Sequence, residues 1–182
     1  MEHWNTGTLE HWNTGTLEHW NTGTLELWNN GTLELWNPEP WNNMNITEIE
    51  ANIVAEFSAF DDWMDRYNYL IELGKDLKVI DEKYKVQNNL ISGCQSRVWL
   101  HAEFRDGKIY FSADSDAVIT KGLISLMIRV LDGQTPDDIV SAELGFLDQI
   151  GLKEHLSPTR SNGLTSMIKQ MKLYALAFKT KS

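Results

Sequence analysis

From residue 46 onward the apolar side chains follow two alternating rhythms. Ile49, Ile53, Phe57 and Phe60 recur every three or four positions, as do Trp63, Tyr67, Leu70 and Ile71, and each set predicts an amphipathic helix. Thr47 and Glu50 have capping-box spacing and mark the start of the first helix, and Gly74 is placed to stop the second. A polar connection rich in Lys and Asp runs to Lys85. Asn89 to Ile91 reads as a weak strand. Arg97 to Phe104 and Lys108 to Ala113 read as stronger ones, joined at Arg105, Asp106 and Gly107 as a hairpin. The helical period then returns. Ile119, Leu123, Leu126, Met127 and Val130 form one face, and Thr135-Pro136-Asp137-Asp138 opens another helix with Pro at its first position and acids at its positive end. A short helix is expected from Glu143 to Ile150. The last, capped by Ser157 or Ser161, carries Leu164, Met167, Ile168, Met171 and Leu173. Helices, a small antiparallel sheet and helices again define an α+β fold.

The first forty-odd residues obey neither rhythm. EHWNTGTL is written three times from Glu2, followed by ELWNNGTL and a decayed copy that ends at Trp41. A period of eight matches neither supercoiled helices nor solenoid repeats, and each Asn-Thr-Gly or Asn-Asn-Gly invites a turn. A ladder of Trp-bearing turns that binds a partner or a sugar is one reading, and a disordered tail is another. The near-identity of the copies favours a recent tandem duplication in DNA, translated from upstream, with Met44 as the working start. The expected organisation is therefore a repeat tail over residues 1–43 and a folded domain over 44–182.

Charge and cysteine content narrow the function. The 182 residues carry a net charge of −10, and the repeat holds six of the 26 acids and none of the 16 bases, so more than half of that charge lies outside the domain. The balance argues against nucleic-acid binding, which needs clustered positive charge. A single cysteine, Cys94, excludes an internal disulfide and any self-contained metal or iron–sulfur site built on several thiolates. The longest apolar stretch, Ala117 to Leu131, is interrupted by Lys121 and Arg129, and no secretory signal opens the chain. A soluble, reducing, cytoplasmic setting is expected.

Cys94 lies in Ile91-Ser92-Gly93-Cys94-Gln95-Ser96, between two strand-like runs, and is expected at a tight turn on the sheet edge. A lone cysteine is commonly a small buried hydrophobe. Here Gly93 permits a positive φ, and Gln95 and Ser96 put polar groups around the thiol, so a reactive thiol stands beside the inert alternative. His101 reads as a surface or half-buried strand residue, and His155 as a residue near a helix end. Gly122 is expected to let its helix pack closely on the sheet.

Several blocks resemble the SufE family: NLISGCQSRVWL at residues 89–100, ADSDA at 113–117, Lys121-Gly122-Leu123, HLSPTRSNGL at 155–164, and WMDRYNYLIELGK at 63–75. They run in order from about Ile46 to Phe178 and omit the repeat. The resemblance implies a SufE/IscU-like fold and a protein without a bound cofactor, not itself an enzyme. It would accept sulfur on Cys94 from a PLP-dependent, SufS-type cysteine desulfurase, stimulate that enzyme, and pass the sulfur to a SufBCD-type scaffold. It also implies supporting or partner-binding roles for Gln95, Asp114 and Arg160. Asp114 has a second reading as the N-cap of the helix after Ala117, and Arg160 could lower the Cys94 pKa or grip partner carboxylates. No nucleic acid, membrane or metal is implied, and a homodimer is left open. A one-cysteine thiol redox enzyme and a desulfurase-binding adaptor with an inert cysteine are the competing functions.

Overall fold

A computed structural model describes residues 44–180 except Val79, so the expectations for the repeat tail lie outside the described residues. The helices are α1 (Ile46–Ser58), α2 (Trp63–Lys75), α3 (Val118–Leu131), α4 (Pro136–Ser141), α5 (Phe146–Gln149), α6 (Leu152–His155) and α7 (Pro158–Lys179). Between α2 and α3 lies an antiparallel hairpin of β1 (Val98–Arg105) and β2 (Lys108–Ser115). The α+β class read from the sequence is the one observed.

The hairpin turn follows directly from its chemistry. Asp106 at φ 54° and Gly107 at φ 77° take the paired left-handed conformation of a two-residue turn that matches strand twist. The register Val98 with Ser115 through Arg105 with Lys108 turns Val98, Leu100, Ala102, Ile109, Phe111 and Ala113 inward. Asn89 to Ile91 forms no strand. A single 3-10 turn covers Gln87–Asn89, and Leu90 makes one bridge to Trp99.

The central element is α3. Apart from Val118 and Lys121 its side chains are buried, because α2, β2, α1 and α7 all pack against it. Its crossing with α2 is unusually close. A Cβ on Gly122 would stand 2.0 Å from the Leu70 carbonyl oxygen, and one on Gly74 would stand 2.6 Å from the Gly122 nitrogen. Gly122 therefore serves contact with α2 and not with the sheet, and Gly74 lies inside the last turn of α2 as its packing partner and not as a stop signal. Two buried charges cross the same core. Arg129 of α3 donates to Glu56 of α1 from both terminal nitrogens, one at 2.6 Å, and the Tyr69 hydroxyl of α2 donates to Glu56 at 2.9 Å. Mutual neutralisation and hydrogen bonding make these charges tolerable there.

Several boundaries differ from the sequence reading for local reasons. The first capping box is formed by Asn45 and Glu48, two positions earlier than the Thr47–Glu50 pair. Asn outranks Thr as an N-cap, and its side-chain oxygen accepts from Glu48 N at 2.9 Å. The helix expected over 143–150 is reduced to the single turn α5 at 146–149, and a second turn not expected there, α6, follows after Gly151 at φ 80°. Thr135 caps α4 as expected and accepts from Asp138 N, and Ser157 precedes Pro158 at the start of α7. Leu173 is 47% exposed, so the buried face of α7 runs through Leu164, Met167, Met171 and Ala175 instead. Among the described residues no helix is long and apolar enough to cross a membrane.

Candidate functional site

Cys94 is carried by the loop of residues 92–97, closed at its base by Ile91 N donating to Val98 O at 2.8 Å. Gly93 turns the chain at φ 90°, and a side chain there would meet Ser166 of α7, so both the turn and the close approach call for glycine. The far end of the loop is fastened to the start of α3. Arg97 donates to Asp116 twice at 3.0 Å, once from its backbone N–H and once from Nε, and the Ser96 and Thr120 hydroxyls lie 3.1 Å apart. Ser115 Oγ donates to Arg97 O at 2.8 Å.

These fastenings seat the loop between the first turns of α3 and α7, over a cavity of about 290 Å³. Its wall includes Cys94, Gln95, Arg160, Asp116 and Gly163, above the apolar side chains of Ile119, Leu123, Leu164 and Met167. The half-buried thiol donates to the Gly163 carbonyl of α7 at 3.6 Å. Burial pushes the Cys94 pKa up from its ordinary value. The direction is opposite to the one Arg160 was expected to impose, because the sulfur faces a helix carbonyl and apolar side chains. A carbonyl acceptor also favours the protonated thiol.

Of the four residues singled out in the sequence, Cys94, Gln95 and Arg160 share this cavity and Asp114 does not. Arg160 is exposed on the rim and makes no hydrogen bond or ion pair among the described residues. Asp114 lies within β2, where it is buried and forms ion pairs with Lys85 and Lys121, each at 2.9 Å. Burial pushes its carboxyl up, but the hydrogen bonds from Lys121 and Lys85 outweigh that and hold it below the usual range. Nor is it the cap of α3, since Ala117 occupies that position without a side-chain bond. The acid on the cavity wall is Asp116, which the sequence reading passed over. Extending the hairpin register one step beyond Val98 and Ser115 would have paired it with Arg97. His101 stacks on Tyr84 at 3.7 Å between ring centroids, and His155 stacks on Trp63 at 4.3 Å, both away from the cavity lining.

Comparison with known proteins places this constellation in a class. The SufE family model, described as an Fe-S metabolism associated domain, matches residues 51–175, and the chain belongs to that family. An uncharacterized SufE-like protein of Synechocystis is 39% identical over 128 residues, covering 70% of this chain and 80% of its own length. Another, from Rhizobium meliloti, is 40% identical over 125 residues, covering 66% and 89%. A hypothetical protein of Thermus thermophilus solved in solution superposes with a TM-score of 0.62 at 20% identity, covering 72% of this chain and 96% of its own, and shares the fold. The family associates the chain with iron–sulfur metabolism.

Proposed function

We propose that the protein is a persulfide carrier that takes sulfane sulfur from a cysteine desulfurase of the SufS type onto Cys94, stimulates that enzyme, and hands the sulfur to a SufBCD-type scaffold. The observation that carries this reading is a solitary thiol on a fastened loop, seated over a small cavity whose rim bears the exposed guanidinium of Arg160, unpaired among the described residues. In the transfer the Cys94 thiolate attacks the terminal sulfur of the donor's persulfide. The new S–S bond forms on Cys94, the donor S–S bond breaks, and the donor cysteine departs as a thiolate. No oxidant is consumed, since the sulfane sulfur moves between thiols at constant oxidation state.

Rate in such an exchange depends on thiolate fraction, leaving group and access. At rest Cys94 is poor in the first and third, being half-buried and held as a donor to Gly163 O. Docking must therefore draw the loop off α7, and Arg160 is the cation placed to favour the thiolate or to meet a partner carboxylate once that happens. Gln95 supports the loop beside the thiol. Asp114 has a supporting role at one remove, tying the segment around Lys85 and the first turn of α3 to the end of β2.

The test is desulfurase turnover with and without this protein. Cys94→Ser abolishes stimulation while thermal stability stays near wild type. Full stimulation by that variant would favour the adaptor with an inert cysteine, and rapid peroxide reduction by the wild type alone would favour the thiol redox enzyme.

A further inference from the structure

The cavity has one wall without a side chain. A Cβ on Gly163 would lie 3.5 Å from Cys94 Sγ and 3.9 Å from its Cβ, an ordinary contact that the resting thiol tolerates. A persulfide does not have the same tolerance. A second sulfur bonded at about 2.05 Å comes within about 3.5 Å of such a methyl for every direction within about 70° of it, closer than a relaxed nonbonded contact. Straight at that position the Gly163 backbone itself closes the space; in the outer part of the cone, where Gly163 and Cys94 line the same cavity, a second sulfur fits only while residue 163 is glycine. Gly163 sits in the second turn of α7 with its backbone buried, and no turn or positive φ accounts for glycine there. Glycine inside a helix is the less stable choice.

Resting on the carrier reading above, we propose that Gly163 is a positioning residue for the transferred sulfur: its bare backbone leaves the berth beside α7 that the second sulfur of Cys94 persulfide occupies, and its carbonyl holds the thiol when no sulfur is bound. A larger residue turns the second sulfur towards the cavity mouth, where passing nucleophiles reach it.

The test compares wild type, Gly163→Ala, Gly163→Ser and the control Gly145→Ala, whose added Cβ meets nothing within 4 Å. Cys94 is loaded with inorganic tetrasulfide, which gives the cysteine persulfide and trisulfide without a desulfurase. The persulfide is then challenged with cyanide, which removes the sulfane sulfur as thiocyanate and regenerates the thiolate. Thiocyanate release is expected to be about tenfold faster in Gly163→Ala than in wild type, faster again in Gly163→Ser, and unchanged in Gly145→Ala. Iodoacetamide alkylation of the unloaded thiol should differ by no more than about twofold, because the methyl is in ordinary contact with the resting sulfur. Thermal midpoints should hold or rise, Ala being the better helix former. Equal thiocyanate release from wild type and both variants overturns the assignment, as does a change that tracks the alkylation rate. Failure of a desulfurase to load the wild type, with the tetrasulfide comparison intact, would refute the carrier reading and leave the berth standing.

Discussion

Asp132 offers a quantitative check on how α3 is joined to the hairpin. It follows the last turn of α3, and its Oδ1 accepts from the backbone N–H of Phe111 in β2 at 2.5 Å. Burial raises its pKa from 3.8 to about 6, against smaller opposing effects from that hydrogen bond and from Lys78 and Arg105. A folded-state pKa above the unfolded one means that the native state binds the proton more tightly. The charged carboxylate is therefore a cost that is present in full above pH 6, shrinks as pH falls, and vanishes below the unfolded value. Two pKa units correspond to about 3 kcal/mol. Asp132→Asn keeps a carbonyl oxygen for Phe111 N–H and removes the charge. Urea unfolding should show the variant more stable by about 2–3 kcal/mol at pH 7.5, with the difference closing by about pH 4. Taking the difference between the two proteins at each pH removes the other carboxylates from the comparison. A variant less stable than wild type at pH 7.5, or a difference independent of pH, would refute the reasoning.

Other outcomes follow from the same geometry. Gly122→Ala places a methyl inside the Leu70 carbonyl, so the α2–α3 crossing must open; unfolding free energy should fall by more than the roughly 1 kcal/mol that Ala contributes through helix propensity. Alkylation of Cys94 should keep accelerating beyond pH 9, because burial lifts the thiol above its ordinary value; a plateau near neutrality would place a cation effectively beside the sulfur. Arg160→Gln should weaken desulfurase stimulation about tenfold or more without moving the thermal midpoint, since the side chain is exposed and unpaired among the described residues, and equal stimulation would remove Arg160 from the site.

What could be read from the sequence was what local chemistry dictates. Asp106-Gly107 announces its turn because few other pairs adopt two successive left-handed conformations, and Ile119, Leu123, Leu126, Met127 and Val130 announce the helix α3 by their spacing, although packing on several sides buries nearly the whole of it. The Cys94 loop was marked by Gly93 and its polar neighbours. Misreadings arose where two segments distant in sequence decide the outcome. Gly122 and Gly74 look like a packing residue and a stop signal separately, and their reciprocal contact exists only once α2 crosses α3. Asp114 and Asp116 are two residues apart in one acidic run. Strand β2 turns the first to Lys85 and Lys121 and ends before the second, which reaches Arg97 and the cavity wall. The contact between Gly163 and Cys94 joins positions 69 residues apart and left no local signal.

The most direct test of sulfur carriage is peptide and intact-mass spectrometry of the protein after incubation with free cysteine and an active SufS-type desulfurase. A gain of about 32 Da on the Cys94 peptide, removed by reductant and absent in Cys94→Ser, is the predicted result. An unmodified Cys94 peptide from folded protein, with the desulfurase turning over and a second desulfurase giving the same answer, would contradict it.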